Sequence, residues 1–568
     1  MLPAGGYLEY KEFPSGLLYP CKIGQTAENQ PKNRYKKVIP YDDSRVILRS
    51  SPSGSDYINA SYMDRVRITH LSFYRAPQCY IATQGPLPDT VADFWSMVWQ
   101  ERSSVIVMLT GLEEQNKVKC ERYWPEQVQT YGDITVSLQQ VVQTGAIITR
   151  TFSLKKVPSA VQMTVEQLHY QDWPDHGVPR KPATLVQLVE QMNKCNSPGS
   201  GPVIVHCSAG IGRTGTFMAL DVLLKMARAV KKVNVFCCVL QLRNTRVNMV
   251  QNKEQNAFLY DVLLETLLCA RTCVPVPDIQ RHLGHMTRRD PRTSMDGYDR
   301  EFQALEEMTQ FYEIYPCKEA KKPENQKKNR NSSILPGDRW RPLLLSVLTS
   351  YGAPGYINAV FVNSNCLEDA VIVTQLPMQD ALEDFWSLVW DYRCTAVVVM
   401  HRAQDLLQMA LRFWPHRGVS RYGGFSVTAT GKGSGAGYRW TLLSVQREHE
   451  PLDVKLWQLE SWPLEQELPQ DPAALLTVIG EAERCQQQRA GGHILVTCSD
   501  GANRSGLFCA GLMLCDQIRS DGIVDVSHTA RSLRKRRCQF LPSKAQYSFC
   551  YLMAQKYLDS FETYGNFK

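Results

Sequence analysis

The chain has 568 residues, of which 43% are hydrophobic and 21% are charged. This length exceeds what one hydrophobic core supports and indicates about two to four domains, and the composition excludes a disordered protein. The formal net charge of +8 is modest for this length, and with no nucleic-acid-binding motif beside it, it favours acidic or phosphorylated partners over nucleic acid.

Apolar runs and helical spacings alternate along the first half of the chain. In chain order the pattern predicts a helix over Thr90–Trp99, strands over Val105–Thr110 and Ile134–Leu138, a helix over Thr184–Lys194, a buried strand over Val203–Val205 and a helix over Thr216–Val230. Strands that alternate with helices are typical of an α/β fold. We therefore predict a twisted mixed sheet flanked by helices.

The segment between the last two elements, Cys207–Gly215, has the composition of an anion-binding loop. Its glycines permit tight curvature, and the free amides at the start of a helix favour negative charge. Such a site stabilises a thiolate at Cys207, and the planar fork of Arg213 can bind two phosphate oxygens. A cysteine beside glycine is otherwise most often a small buried residue. The flanking strand and helix, with the glycines and hydroxyls, favour phosphoryl transfer to sulfur.

Several motifs occur twice, which indicates an internal duplication. Cys207 and Cys498 lie 291 residues apart, as do the Asp-Phe-Trp-Ser motifs that begin at Asp93 and Asp384. Tyr-Ile-Asn-Ala also occurs twice, beginning at Tyr57 and Tyr356. The stretch 271–297 has three prolines, clustered Arg and His, and no sustained periodicity. We therefore predict one domain over residues 1–270, a linker over 271–297 and a second domain over 298–568.

These motifs resemble those of the cysteine-based protein tyrosine phosphatases. The first copy resembles their catalytic domain, and the tandem arrangement resembles the cytoplasmic region of the receptor-type members. The resemblance extends from about Tyr7 to Lys568. It implies phosphotyrosine hydrolysis through a cysteinyl-phosphate intermediate, with no metal and no cofactor.

The resemblance also implies a role for particular residues of the first copy. The implied catalytic residues are the nucleophile Cys207, the phosphate clamp Arg213, the general acid Asp175 on the mobile loop Trp173–Pro179, the water-positioning Gln251, Thr214 as hydrogen-bond donor to the sulfur, and His206, which helps to set the acidity of the thiol. The implied substrate-binding residues are Tyr35 as a wall of the phosphotyrosine pocket, the loop residues Ser208, Ala209, Gly210, Ile211 and Gly212, and also Gln255 and Lys119. Glu114 is implied as the partner of Arg213, and Arg243 and Arg246 as supports of the loop.

Lys37 departs from the pattern of the family, in which many members have Asp or Asn at this place to bind the peptide backbone. Two interpretations remain open for Lys37. It favours acidic residues beside the phosphotyrosine, or it is a solvated surface lysine.

The second copy keeps Cys498 and Arg504 but differs at the supporting positions. By the motif alignment, Leu464 stands for Asp175, Met409 for Lys119, Gln404 for Glu114, Asn331 for Tyr35 and Pro542 for Gln251, and within the loop Asp500 stands for Ala209 and Asn503 for Gly212. A negative charge at Asp500 raises the pKa of a neighbouring thiol and weakens phosphate binding. The sequence therefore predicts a vestigial site at Cys498 and Arg504, in a pseudophosphatase domain that regulates or binds partners, or is a stabilising neighbour without a ligand.

The leading hypothesis is a protein-tyrosine-phosphatase that acts on phosphotyrosine proteins, with an intramolecular contact between its two domains. The alternative is a phosphotyrosine-binding scaffold with both domains inactive, which the joint presence of Asp175, Arg213, Gln251 and Tyr35 disfavours. A dual-specificity phosphatase or a sulfur transferase would share the Cys-to-Arg loop but not the Tyr35 wall.

The sequence favours a cytoplasmic location. The segment Met1–Tyr10 lacks an apolar signal core, and no apolar run is long enough to span a bilayer. We therefore expect membrane contact only through a part absent from this chain, at the inner face of the plasma membrane if a longer receptor form exists.

Overall fold

Two units divide the chain, Met1–Cys269 and Ala270–Lys568, called here the first and the second unit. The structure is a computed structural model that describes residues 9–49, 54–63, 80–156, 161–174, 177–179, 182–196, 199–268, 272–310, 316–348, 352, 354–409, 411–448, 450–488 and 492–565. None of the helices in these ranges is both long and apolar enough to cross a membrane.

The first unit is built on a nine-stranded sheet with helices on both faces. Its strands are β1 Arg45–Ile47, β2 Tyr57–Met63, β3 Tyr80–Thr83, β4 Val105–Met108, β5 Glu113–Glu114, β6 Lys117–Val118, β7 Val128–Tyr131, β8 Ile134–Thr144, β9 Ile147–Lys156, β10 Gln162–Tyr170 and β11 Val203–His206. Its α-helices are α1 Val91–Gln100, α2 Pro182–Cys195, α3 Gly212–Val230, α4 Val235–Thr245 and α5 Lys253–Leu268, with 3₁₀ helices at Tyr10–Glu12, Ile23–Gln25, Gln30–Lys32 and Pro88–Thr90. The sheet order is β1-β2-β3-β11-β4-β10-β9-β8-β7, and β5 pairs with β6 in a separate hairpin.

The centre of this sheet is parallel and its flanks are antiparallel. Strand β11 pairs in parallel with β3 and β4, and β4 pairs in parallel with β10. Val203 and Val205 belong to the core on the face of α2 to α5, whereas Ile204 belongs to the core on the face of α1. Because successive side chains point to opposite faces and both faces are covered, this central strand is apolar throughout.

The second unit repeats this architecture with an eight-stranded sheet. Its strands are β12 Val274–Pro275, β13 Leu344–Leu348, β14 Pro354–Gly355, β15 Ala359–Val362, β16 Val371–Gln375, β17 Ala396–Val399, β18 Val419–Tyr422, β19 Phe425–Gly435, β20 Tyr438–Arg447, β21 Glu450–Leu459, β22 Ile494–Cys498 and β23 Ile523–Val524. Its α-helices are α6 Ile279–Met286, α7 Gly297–Thr309, α8 Pro323–Gln326, α9 Leu382–Asp391, α10 Ala403–Gln408, α11 Ala473–Gln487, α12 Asn503–Asp521, α13 Val526–Arg536 and α14 Lys544–Gly565, with 3₁₀ helices at Val276–Asp278 and Gln379–Ala381. The order of the large sheet is β15-β16-β22-β17-β21-β20-β19-β18. The prediction of an α/β fold with mixed sheets flanked by helices is confirmed.

The segment 271–297 differs from the linker that the sequence predicts. Strand β12 pairs antiparallel with β23, and Val274, Ile279 and Met286 belong to a hydrophobic core of the second unit. The partner strand lies about 250 residues further along the chain, so local periodicity carries no sign of this pairing. Most of the segment is therefore part of the second unit.

Candidate active site

Cys207 lies at the carboxyl end of the central parallel strand of the first unit. Strand β11 ends at His206, and helix α3 begins at Gly212. The predicted strand, loop and helix are therefore confirmed as elements. In a parallel sheet this position is open to ligands, because side chains no longer cover the strand ends.

A glycine with positive φ makes the turn of the loop. Gly210 has φ of 70°, and a Cβ atom on it would lie 2.2 Å from the carbonyl oxygen of Thr83. Any side chain at this position would be strained by its backbone conformation and would also press on a neighbouring peptide group. The loop can therefore approach strand β3 this closely only because residue 210 is glycine.

Donors outside the loop hold three of its carbonyl oxygens. The amide of Gly85 donates to Ser208 O at 2.9 Å, and the buried guanidinium of Arg246 donates to Ala209 O at 3.2 Å and to Gly210 O at 2.8 Å. Because a peptide group points its N–H opposite to its C=O, outward carbonyls turn the amides inward. The loop thus presents N–H groups to the space above Cys207.

Two hydrogen-bond donors point at the sulfur of Cys207. The amide of Gly210 lies 3.3 Å from Sγ, and Thr214 Oγ1 lies 3.2 Å from Sγ. Cys207 itself is only 5% exposed. One donor thus comes from the loop and the other from helix α3, and both are directed at the same sulfur atom.

Arg213 is held in a fixed orientation by a carboxylate. Its Nη1 and Nη2 donate to Oε1 and Oε2 of Glu114 at 2.6 and 2.8 Å, and Nη2 also donates to Pro174 O at 3.1 Å. Glu114 Oε1 in turn accepts bonds from Thr110 Oγ1 and the amide of Gly111, each at 3.0 Å. The side chains of this pair are 10% and 13% exposed. A bidentate pair of this kind fixes the plane of the guanidinium.

His206 is buried behind the loop and is neutral. Burial is the main cause that lowers its pKa to about 3. Its Nδ1 donates to Cys207 O at 3.3 Å, and its Nε2 accepts from the hydroxyl of Tyr123 at 2.8 Å. That hydroxyl accepts from Gln167 Nε2 at 2.7 Å. The imidazole therefore tethers the backbone of Cys207 to strand β10 without adding a charge.

Tyr35 lies at the edge of the loop, half exposed at 39%, with its hydroxyl 2.9 Å from Ser208 Oγ. The segment that carries it is fixed by Gln84, which accepts from the amide of Arg34 at 2.9 Å and donates to Lys32 O at 2.8 Å. The structure thus brings the predicted aromatic wall next to the predicted anion loop. Lys37, two residues further along, is exposed.

Gln251 and Gln255 flank the other side of the loop. A Cβ atom placed on Gly212 would lie 2.9 Å from Gln251 Oε1 and 3.1 Å from Gln255 Nε2. The amide of Gln251 donates to Gln255 Oε1 at 2.9 Å, and the amide of Val250 donates to Ile211 O at 3.2 Å. Both glutamines are therefore beside the first turn of α3.

Lys119 is half-buried, and its amide donates to Leu112 O at 2.7 Å, which closes the hairpin that carries Glu114. Asp175, the predicted general acid, and its neighbour His176 lie outside the described residues. The described part of that loop includes Trp173, whose Nε1 donates to Gly177 O at 3.3 Å.

Sequence reasoning missed the residue that joins the two loops. Asn59 donates from Nδ2 to Asn33 Oδ1 and to Val38 O, both at 2.8 Å, and its Oδ1 accepts from Arg246 at 2.7 Å. It thereby connects the segment of Tyr35 to the arginine that supports the Cys207 loop. The available signal was the repeated Tyr-Ile-Asn-Ala motif, because Asn358 makes the equivalent bonds to Asn329, Ile334 and Arg537.

The loop of the second unit contains a cysteine in a different environment. Cys498 is fully buried, and its Sγ lies 3.2 Å from Asp500 Oδ1. Burial, with a contribution from the Asp500 carboxylate, raises the pKa of Cys498 to about 11. The thiol is therefore protonated at neutral pH and donates to that carboxylate.

Arg504 has lost the carboxylate partner that Arg213 has. Within the described residues its guanidinium donates to the carbonyl oxygens of Met400, Trp462, Pro463 and Gln466. The hairpin β5–β6 of the first unit is replaced here by the short helix α10, and Asp405 on this helix binds Arg402. Leu464, in place of the predicted general acid, is 40% exposed.

A protein-family model described as "Protein-tyrosine phosphatase" matches residues 29–265 and again 325–556. The chain belongs to the protein-tyrosine phosphatase family. Among curated proteins it is 35% identical to receptor-type tyrosine-protein phosphatase U of Gallus gallus over 574 residues, which is 99% of this chain and 39% of that protein. It is also 35% identical to receptor-type tyrosine-protein phosphatase S of Gallus gallus and to receptor-type tyrosine-protein phosphatase F of Bos taurus, over 98% of this chain and 36% and 29% of those proteins. The chain thus spans well under half the length of these relatives.

Proposed function

We propose that the first unit is a protein-tyrosine-phosphatase that hydrolyses phosphotyrosine in proteins through a cysteinyl-phosphate on Cys207, and that the second unit is a regulatory pseudophosphatase. The observation that carries the proposal is the convergence of two donors on Cys207 Sγ. The sulfur lies in a loop whose carbonyl oxygens are held outward, and Arg213 lies in the first turn of the helix that follows this loop. This arrangement suits a tetrahedral phosphoryl group above a thiolate.

In the first step Sγ of Cys207 attacks phosphorus, and the bond between phosphorus and the tyrosine oxygen breaks. The inward amides and the Arg213 fork bind the equatorial oxygens, where negative charge develops. The leaving phenolate takes a proton, for which the family resemblance assigns Asp175. Because Glu114 fixes the guanidinium before substrate arrives, little reorganisation accompanies this step.

In the second step a water attacks phosphorus, and the thiolate leaves as inorganic phosphate forms. The resemblance assigns the orientation of that water to Gln251, which lies beside Gly212, and Asp175 accepts the proton of the water. Thr214 Oγ1 stabilises the departing sulfur by its hydrogen bond. His206 is a positioning residue in this scheme, since it is neutral and buried and reaches the site only through Cys207 O.

Selectivity for tyrosine follows from the depth of the sulfur. Cys207 is buried at the base of the loop, while the half-exposed ring of Tyr35 stands at its edge. A phosphorylated tyrosine is long enough to bring phosphorus to Sγ with its ring against Tyr35. Phosphoserine and phosphothreonine are shorter and place phosphorus too far from the sulfur.

The test is release of phosphate by the full chain from matched phosphotyrosine and phosphothreonine peptides. Wild type is expected to hydrolyse the phosphotyrosine peptide alone, and Cys207→Ser to be inactive. Comparable hydrolysis of both peptides would contradict the selectivity argument, and activity retained by Cys207→Ser would contradict the nucleophile. Tight binding of the phosphotyrosine peptide without hydrolysis would favour a scaffold with two inactive units.

The inactivity of the second unit rests on a separate observation. The thiol of Cys498 is protonated and hydrogen-bonded to Asp500, so a nucleophilic thiolate is not available at neutral pH. The wild-type chain and Cys498→Ser are therefore expected to hydrolyse phosphotyrosine at the same rate. A drop in rate for Cys498→Ser would contradict this part of the proposal.

A further inference from the structure

The second unit keeps the backbone shape of the anion-binding loop. Gly501 has φ of 67°, close to that of Gly210 in the first unit. A Cβ atom on Gly501 would lie 2.6 Å from the amide nitrogen of Gln375. Arg537 holds Gly501 O at 2.6 Å and Asn358 Oδ1 at 2.7 Å, as Arg246 holds the equivalent atoms. The positive-φ glycine and the arginine that holds its carbonyl oxygen are thus present in both units.

A side chain of the second loop lies where an anion would bind. Asp500 Oδ1 accepts hydrogen bonds from the amides of Ala502 at 2.9 Å and Asn503 at 3.0 Å, and from Cys498 Sγ at 3.2 Å. Asn503 is the first residue of α12, and Ala502 immediately precedes it. The free amides at the start of a helix are the donors that bind anions in such loops. One carboxylate oxygen therefore takes three donors at once.

The corresponding residue of the first unit is Ala209, which has no side-chain acceptor. The loop of the first unit and the loop of the second unit therefore share their backbone but differ in what their amides bind. Among the residues by which the two loops differ, Asp500 is the one that supplies this acceptor, since Ala209 and Asp500 occupy the same place between the cysteine and the positive-φ glycine.

We propose that the second unit retains an oxyanion-binding cradle that its own Asp500 carboxylate occupies. The cradle is the group of donors formed by the amides of Ala502 and Asn503 and the thiol of Cys498. An intramolecular ligand competes at high effective concentration, so free phosphate and phosphotyrosine are excluded. This inference rests on the proposed inactivity of the second unit and names its cause: a side chain of the loop itself fills the site.

Occupancy and charge repulsion make different predictions for two variants. Asp500→Ala removes the ligand and restores the residue type that the first loop has at Ala209. Asp500→Asn removes the charge but leaves an amide oxygen that can still accept from the two backbone amides. If occupancy closes the site, only Asp500→Ala opens it. If repulsion alone closes it, both variants open it.

The experiment is calorimetric titration of the full chain with sodium tungstate, a tetrahedral oxyanion. Wild type and Asp500→Asn are expected to bind one equivalent, in the first unit, and Asp500→Ala two. Arg213→Ala, which disables the first site, is expected to bind none, whereas Arg213→Ala combined with Asp500→Ala binds one. Failure of wild type to bind tungstate would count against the proposed function of the first unit. In that case, the double variant Arg213→Ala with Asp500→Ala still tests whether the second unit binds the anion.

A second measurement identifies the site and detects misfolding. Tungstate is expected to slow alkylation of Cys498 by iodoacetamide in Asp500→Ala, as read by peptide mass spectrometry, and to leave it unchanged in wild type. Thermal unfolding checks that each variant is folded. One equivalent bound by a folded Asp500→Ala, two bound by wild type, or two bound by Asp500→Asn would each overturn the proposal.

Discussion

Replacing Glu114 by Gln tests whether a fixed Arg213 contributes to catalysis. In the native pair, Glu114 Oε1 binds Arg213 Nη1, Thr110 Oγ1 and the amide of Gly111, while Oε2 binds only Arg213 Nη2 among the described contacts. Glutamine can keep its oxygen at the Oε1 position, where three donors meet. Its amide nitrogen then faces Nη2, and two donors oppose each other across 2.8 Å.

The size of the effect follows from the bond that is lost. A hydrogen bond between charged groups is worth about 1.5–3 kcal/mol, and the side chains are only 10% and 13% exposed, so water replaces little of it. If the loss falls on the transition state, kcat/KM for a phosphotyrosine peptide decreases by about 10- to 150-fold. Because Arg213 also binds the ground-state phosphate, the affinity for tungstate should weaken as well.

The matched control is Glu113→Gln, which changes the same residue type at the exposed neighbouring position. Steady-state kinetics give kcat and KM separately, and calorimetry gives the tungstate affinity. If Glu114→Gln stays within about twofold of Glu113→Gln in both measurements, the claim that Glu114 orients the guanidinium is refuted.

Three further predictions concern other parts of the two loops. Gly210→Ala is expected to lower the free energy of unfolding by about 2–5 kcal/mol in urea denaturation, because it adds left-handed strain and a contact with Thr83 O. Burial lowers the pKa of His206 to about 3. Below about pH 6.5 the unfolded chain therefore binds a proton at this histidine that the folded chain does not bind. The free energy of unfolding is expected to fall by about 2 kcal/mol at pH 5 for each histidine buried in this way. His206→Gln should remove that share of the difference between pH 7.5 and pH 5. Alkylation of Cys498 should accelerate as the pH rises toward its pKa of about 11.

The first of these predictions has a matched control, and each has an outcome that would contradict it. Gly199 also has positive φ, and among the described residues no heavy atom lies within 4 Å of its Cβ position. Gly199→Ala therefore isolates the backbone strain, and an equal loss in both variants would refute the Thr83 contact. An identical pH dependence in wild type and His206→Gln would contradict the burial argument. An alkylation rate of Cys498 that is flat between pH 7 and pH 9 would show that its thiol is already ionised.

The parts of the site that the sequence predicts are those encoded in consecutive residues. The apolar run before Cys207, the glycines after it and the helical spacing beyond define a strand, a loop and a helix, and the structure has all three. The repeated motifs revealed the duplication for the same reason. The bond between Arg246 and Asn59 joins residues 187 positions apart, and no local pattern records it.

In the second unit the sequence also does not predict the conformation of the Asp500 side chain. The sequence shows the charge of Asp500, which predicts repulsion of phosphate and a raised pKa for Cys498. The same carboxylate also accepts hydrogen bonds from two backbone amides. These bonds depend on how the side chain folds back over the loop. Sequence comparison also does not show that Gln404, which is aligned with Glu114, lies on helix α10, where the first unit has the hairpin β5–β6.

The most direct test of the account is to trap the covalent intermediate. The full chain is mixed with a phosphotyrosine peptide, quenched in acid within one turnover and digested, and the phosphorylated cysteine is located by mass spectrometry. The account predicts a phosphoryl group on Cys207 and none on Cys498, with the Cys207 adduct accumulating in Gln251→Ala because its hydrolysis is slowed. A phosphoryl group on Cys498, or hydrolysis of the peptide with no adduct on Cys207, would contradict it.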